Sequence, residues 1–218
     1  MMKVLNLKKS YGQGDARFEV LKGINLEILK GETLALIGKS GSGKSTLLSL
    51  LAGLDRPDSG EIMVQDKSIT SMSESELTYF RAHHMGIVFQ QFHLVSTLNA
   101  LENVLLPLEL LKRENALKEA QELLESVGLG HRTHHLPSEM SGGECQRVAI
   151  ARALAIKPSI LFADEPSGNL DEETGDKVME LLFNMVSTTG TTLVLVTHDQ
   201  DLARKCSRII HLEHGSLL

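Results

Sequence analysis

Cysteine is scarce: Cys145 and Cys206 stand alone in 218 residues, and no CxxC pair occurs. That spacing argues against disulfide stapling and suits a reducing compartment. No window approaches 18 uninterrupted apolar residues, so no segment reads as a membrane span. The opening Met1-Met2-Lys3-Val4-Leu5-Asn6-Leu7 lacks the long apolar centre of a secretory signal, which points to a cytosolic chain. An excess of positive charge is missing too. The 22 Lys and Arg against 28 Asp and Glu leave a net charge of −6, with no bulk attraction to nucleic acid or anionic lipid. Neither an internal repeat nor a low-complexity tract is present. What remains is a composition of 42% hydrophobic and 23% charged residues, with length enough for one sizeable core and one compact unit.

The organising stretch follows the apolar run Thr33-Leu34-Ala35-Leu36-Ile37. It reads Gly38, Lys39, Ser40, Gly41, Ser42, Gly43, Lys44, Ser45, Thr46, and it leads into Leu47-Leu48-Ser49-Leu50-Leu51-Ala52. Strand, glycine loop and helix in that order are the setting of a phosphate-binding loop. Glycines let the backbone curl so that successive N–H groups point inward, and the new helix adds free N–H groups and a positive dipole end. Lys44 can reach terminal phosphates as a point charge, the Ser45 hydroxyl suits a Mg²⁺ ligand position, and Thr46 can reach the first phosphate.

Before this loop, residues 4–8, 18–21 and 24–28 alternate as half-exposed antiparallel strands, broken at Gly12-Gln13-Gly14-Asp15 and at Lys30-Gly31. Tyr11 is either simple packing or a ring that stacks on adenine. Beyond the loop helix, Gly53 caps its end, and a turn at Arg56-Pro57-Asp58-Ser59-Gly60 precedes a strand at 61–64. Ser73-Glu74-Ser75-Glu76 looks like a helix start. Gly86-Ile87-Val88-Phe89 is a short buried strand whose end places the Gln90 amide to sense a phosphate.

From residue 91 helices dominate. Asn99 with Glu102 forms a capping-box start for a helix at 100–111, kinked or interrupted at Pro107. Asn115 caps a second helix, in which Leu117, Ala120, Leu124 and Val127 share a face. His131, His134 and His135 have no Cys or carboxylate partner at ligand spacing, so they read as solvated loop residues rather than zinc ligands. Ser141, Gly142 and Gly143 then open a long helix, a second helix N-terminus of phosphate-binding character. Two chains facing each other can bring both such sites to one phosphate.

The apolar run at 159–163 ends in Asp164 and Glu165. A carboxylate at the carboxyl end of a buried strand beside a phosphate loop is where a Mg²⁺-holding Asp belongs. Strand alternation aims Glu165 elsewhere, to orient or deprotonate a water. A tight connector through Asp171 leads to an amphipathic helix at 172–187 and a buried strand at 191–196. His198 follows, read as emerging at the same edge as Asp164 and Gln90, either contacting the terminal phosphate or serving structure. A strand at 209–212 and a turn at Glu213-His214-Gly215 close the chain.

Together these motifs resemble the ATP-binding cassette (ABC) ATPases over essentially the whole chain. Residues 38–46 match Walker A, Phe89-Gln90 the Q-loop, Ser141-Gly142-Gly143 the signature, and residues 160–165 Walker B. Leu170-Asp171 looks like the D-loop, His198 the switch histidine and Tyr11 the A-loop aromatic. The resemblance implies an α/β P-loop NTPase fold with a RecA-like parallel core, an antiparallel β portion and an inserted helical subdomain at about 91–156, within one nucleotide-binding domain at 1–218. It implies ATP and Mg²⁺ as cofactors, Lys44, Gln90, Glu165 and His198 as catalytic residues, and Ser45, Gln90 and Asp164 around the metal. Tyr11, residues 38–46, Ser141, Gly142, Gly143 and Asp171 would hold nucleotide.

Its partners would be a second copy, joined head to tail on ATP, and an integral-membrane permease, with no nucleic acid. That would place the chain in the cytoplasm, peripheral on the inner face of the membrane. The stretches at 98–104 and 166–171 look like the bacterial class that includes lipoprotein-releasing and macrolide-exporting ATPase subunits. Met140, Glu144, Cys145 and Ser167 depart from the usual Leu, Gln, Gln and Thr, and an acidic Glu144 near a partner's ATP is expected to weaken the closed dimer. A rival reading, a cytosolic non-transport ABC-type ATPase acting on nucleic acid or ribosomes, would show a long coiled coil or two cassettes, and neither is present. A small-molecule kinase leaves Ser141-Gly142-Gly143 unexplained. The apolar connector at 92–98 either folds back into the helical block or is presented to another protein, and its place directly after Gln90 makes a cytoplasmic helix of the permease the expected occupant.

Overall fold

The computed structural model describes residues 1–13 and 16–218; Gly14 and Asp15, part of the break expected at 12–15, lie outside the described residues. In chain order the elements are β1 (Met2–Gln13), β2 (Ala16–Ile28), β3 (Thr33–Ile37), α1 (Lys44–Leu51), β4 (Ser59–Val64), β5 (Lys67–Ser68) and α2 (Glu74–His84). Next come β6 (Met85–Phe89), α3 (Ala100–Leu110), α4 (Ala116–Ser126), α5 (Gly142–Ala155), β7 (Ile160–Asp164) and α6 (Glu172–Thr189). The chain ends with β8 (Thr192–Val196), α7 (Gln200–Arg204), β9 (Arg208–Glu213) and β10 (Ser216–Leu217). Two compact units form, one from Met1–Arg81 with Thr192–Leu218 and the other from Ala82–Thr191.

The first unit holds an antiparallel sheet in the order β2-β1-β4-β5. Its alternation is legible in the side chains: Met2, Val4, Leu21, Ile24, Ile28, Ile62 and Val64 are buried while Lys3, Leu5 and Glu27 face outward. The same unit contains β3 paired in parallel with both β8 and β9, and β10 folds back on β9. All five residues of β8 and four of the five in β3 are buried. Such continuous apolar runs suit parallel strands covered on both faces. Thr33 and Ser207 fix the register at one end: Ser207 N donates to Thr33 Oγ1 at 2.8 Å and Ser207 Oγ donates to Thr33 O at 2.8 Å.

In the second unit β6 and β7 pair in parallel. Its helices surround a core that includes Val104, Leu108, Leu124, Leu129, Val148 and Ala151. Fully burying a Leu or Val contributes about 1.5–3 kcal/mol. The expected capping box is present, with Glu102 N donating to Asn99 Oδ1 at 2.9 Å and Asn99 N to Glu102 Oε2 at 2.8 Å. The helix α3 continues through Pro107 rather than stopping there. Two expectations about α4 fail. Asn115 occupies the N-cap position of α4 with φ −107° and ψ 30°, away from the extended geometry that aims a cap, and its side chain makes no cap hydrogen bond. Leu117 is 53% exposed, because only Ala120, Leu124 and Val127 of the predicted face reach the core.

Candidate functional site

In the first unit, β3 delivers the chain to Gly38, where a Cβ would collide with the Leu212 carbonyl. Gly43, the N-cap of α1, has φ 103°, a left-handed backbone that glycine adopts without strain. The loop between them turns back on itself. Lys44 is buried, and its Nζ donates to Gly38 O at 2.9 Å and to Lys39 O at 3.0 Å, so the ammonium already spans the loop. Ser42 is buried too, and its hydroxyl finds no partner among the described residues. An orphaned hydroxyl and a buried ammonium inside a glycine cradle fit a phosphate group. Ser45 and Thr46 stand in the first turn of α1, Ser45 exposed and Thr46 half-buried.

Tyr11 is exposed rather than packed away, and one end of it is anchored. Its hydroxyl donates to Asp55 Oδ2 at 3.0 Å, and Lys9 Nζ sits 2.8 Å from the same carboxylate and 5.1 Å from the ring centroid. Partial burial and then Asp55 push the Tyr11 phenol up, opposed by the side chain of Thr46, which places the ring beside the phosphate loop. Desolvation pushes Asp55 up, but hydrogen bonds from Lys9, the Arg56 N–H and Tyr11 outweigh it and hold the carboxyl low. His198, exposed just after β8, lines a cavity of about 350 Å³ with Ile37, Gly38, Lys39, Gln200 and His211. The start of the phosphate loop and the predicted switch histidine are thus neighbours.

In the second unit, Phe89 pairs with Asp164 across β6 and β7, so Gln90 and Asp164 leave adjacent strand ends. Strand alternation does not aim Glu165. The strand stops at Asp164, and Glu165 has φ 44°, so a left-handed turn sets its direction. Gln90 Nε2 donates to Asn169 Oδ1, and a Cβ on Gly168 would lie 2.8 Å from the same Nε2.

Ser141 is the N-cap of the 14-residue α5 and is exposed together with Gly142. Its Oγ accepts from Glu144 N at 3.3 Å, while Glu144 Oε2 accepts from Ser141 N at 2.8 Å. Glu144 also lies 3.3 Å from Arg132 Nε. The Ser141 N–H, with the charges of Arg132 and Arg147, holds the Glu144 carboxyl low against desolvation. Gly143 packs so closely on Thr174 of α6 that a Cβ would collide with its methyl group. Asp171 caps α6 by accepting from Thr174 N at 3.0 Å, the bond that also lowers its pKa. The signature turn and the predicted D-loop aspartate therefore share one neighbourhood.

Sequence reasoning missed side chains that act through distant backbone groups. Arg152 on α5 donates to His93 O at 2.6 Å and to Phe92 O at 2.9 Å, where both residues have left-handed backbones, φ 49° and 59°. Buried Gln146 donates to Phe89 O at 3.3 Å. Asn103 accepts from Val95 N at 2.8 Å and donates back toward the carbonyls of the same connector. Only Asn103 lies in a stretch the sequence had singled out.

No group of three His, Cys, Asp or Glu side chains that could hold a metal occurs among the described residues. Mg²⁺ needs no such cage, since it takes one or two protein oxygens together with phosphates and waters. His131 and His134 are exposed as expected, but His135 is half-buried with Nε2 3.0 Å from Arg132 Nη1. No helix among the described residues is long and apolar enough to cross a membrane.

The sequence profile of the ABC transporter family matches residues 21–168. The ABC transporter ATP-binding protein YbbA of Escherichia coli (strain K12) is 51% identical over 100% of this chain and 96% of its own length. The lipoprotein-releasing system ATP-binding protein LolD of Geobacter metallireducens is 48% identical over 100% of this chain and 98% of its own. Among solved structures, the dimeric post-hydrolysis state of the ATP-binding cassette MJ0796 bound to ADP and Pi superposes with a TM-score of 0.92 at 43% identity, covering 100% of this chain and 96% of that one. The fold is the α/β P-loop NTPase of the ATP-binding cassettes, with parallel core strands, an antiparallel sheet and a helical subdomain. With the profile spanning most of its length and relatives of about half identity aligned end to end, the chain belongs to the ABC transporter family of ATP-binding proteins.

Proposed function

We propose that this chain binds and hydrolyses ATP in a head-to-tail homodimer and powers an integral-membrane permease of the exporting or extracting kind, from the cytoplasmic face of the membrane. The nucleotide's phosphates sit on residues 38–46, with Lys44 exchanging its loop carbonyls for phosphate oxygens and Tyr11 stacking on adenine. Ser45, Gln90 and Asp164 are the residues that would hold Mg²⁺, which would supply charge neutralisation on the phosphates. Glu165 orients and deprotonates the attacking water, and His198 contacts the terminal phosphate. The names of the relatives and the net charge of −6 favour a transporter subunit over a nucleic-acid ATPase.

The observation that carries the dimer is the exposed Ser141 turn at the head of α5, a phosphate-binding helix terminus that contains no Lys and no metal ligand of its own. We infer that it closes on ATP held by the other subunit, with Gly142, Gly143 and Asp171 completing that half of the site. Mixing a Lys44→Ala chain with a Ser141→Arg chain tests this. Each parent is inactive, and the heterodimer regains one intact composite site and part of the ATPase activity. A mixture as inactive as its parents, under conditions of subunit exchange, overturns the reading.

A further inference from the structure

We propose that Arg132 is a positioning residue for the signature turn, supplying the compensating charge that makes a carboxylate acceptable at position 144. The inference rests on the reading that Ser141 meets the triphosphate of the other subunit. An anionic Glu144 three residues into that turn would repel a polyphosphate unless its charge were taken up within its own subunit. Two groups take it up at close range, with the charge of Arg147 adding to them as the last and smallest contribution. The Ser141 N–H binds Oε2 at 2.8 Å, and the Arg132 guanidinium approaches Oε1 with Nε at 3.3 Å. The Glu144 side chain is only 16% exposed, so this pair is less screened than a surface ion pair.

Arg132 is itself held in place. Its carbonyl accepts from His135 N at 3.0 Å, and its Nη1 donates to His135 Nε2 at 3.0 Å. The same short segment satisfies the head of α3, since Ala100 N donates to His135 O and Leu101 N to Thr133 O, each at 2.9 Å. Arg132 thereby links the N-terminus of α3 to the N-terminus of α5 through Glu144. Displacement of α3 is transmitted to Ser141 by one guanidinium.

A double-mutant cycle tests the assignment, read as the ATP concentration for half-maximal dimerisation in the Glu165→Gln background. Arg132→Met keeps the side-chain stem and removes the charge. It is expected to raise that concentration about tenfold when Glu144 is present and by less than about twofold when combined with Glu144→Gln. Arg132→Lys restores part of the loss, while affinity of the monomer for a fluorescent ATP analogue stays within about twofold throughout, since the phosphate loop is untouched. An Arg132→Met effect of equal size with and without Glu144→Gln overturns the proposal. So does a loss of monomer nucleotide affinity, which would mark a folding defect. The Lys44→Ala and Ser141→Arg mixture separates the two ideas. Failure of that mixture removes the composite site, whereas its success with an additive cycle removes Arg132 alone.

Discussion

Gln90 and Asn169 hold each other by reciprocal hydrogen bonds: Gln90 Nε2 donates to Asn169 Oδ1 at 3.0 Å, and Asn169 Nδ2 donates to the Gln90 carbonyl at 3.0 Å. The amide at the end of β6 is therefore aimed by the connector that follows β7. Asn169→Ala removes both bonds, each worth about 1 kcal/mol net, and should lower the steady-state ATPase rate roughly three- to tenfold. Asn169→Asp keeps the acceptor for Gln90 and should fall between. Unchanged turnover in Asn169→Ala would show that the pair does not position Gln90.

Glu165→Gln should still bind ATP but lose turnover by about 10²-fold or more, because an amide keeps the shape and cannot take a proton. Lys44→Ala should fail earlier, at binding, since removing a buried charge partner from phosphate costs on the order of 2 to 5 kcal/mol. Single-turnover hydrolysis and nucleotide titration separate the two variants. Near wild-type hydrolysis by Glu165→Gln would dismiss it as the base.

For the connector at 92–98, the structure redirects the obvious test. Leu94 packs against the helical core, so Leu94→Asp should lower the melting temperature and say nothing about docking. Val95 is 39% exposed. Val95→Asp should leave the melting temperature and ATP affinity unchanged while reducing permease-stimulated ATPase activity in proteoliposomes. Full stimulation in that variant would move the permease elsewhere.

Stability should distinguish two leucines of one helix. Leu124→Ala empties a fully buried position in the α4 core and should cost about 2–5 kcal/mol in denaturant unfolding. Leu117→Ala, on the exposed end of the same helix, should stay within about 0.5 kcal/mol of the parent.

Both thiols should resist alkylation in the folded protein. Burial pushes Cys206 up to about 11, and burial followed by the Glu144 charge raises Cys145. At pH 8 each is protonated almost throughout, and thiolate at Cys206 appears only as pH rises toward its folded pKa. Mass spectrometry after brief iodoacetamide treatment should find neither modified natively and both modified in denaturant. Rapid native labelling of Cys206 would contradict its burial.

The sequence was most informative where backbone chemistry is local. Three glycines, a buried strand before them and a Lys-Ser-Thr after them define a loop whose geometry depends on few distant residues, and the Asn99–Glu102 box is complete within four positions. It misled where dihedral angles decide. Asn115 has the right side chain on a backbone that cannot aim it, and Glu165 lies one residue past the strand whose alternation was used to orient it. It was silent where a long side chain spans the fold. Nothing near Arg152 in sequence announces that its guanidinium fork will bind two carbonyls 59 and 60 positions earlier. His135 likewise read as solvated because no Cys or carboxylate stands at ligand spacing, a criterion that does not look for Arg132, the partner it has.

The strand that carries the phosphate loop lies between two strands made late, β8 and β9. β3 pairs with β8 and β9, and the Thr33–Ser207 clasp joins residues 174 positions apart. On the ribosome, Gly38 is synthesised long before the Leu212 carbonyl that presses on it. During that interval the loop has its glycines and its lysine but neither flanking strand to hold Ile37 in register. Nucleotide affinity should therefore arrive late in translation and all at once, so that truncated nascent chains cannot sequester ATP or pair prematurely with finished subunits.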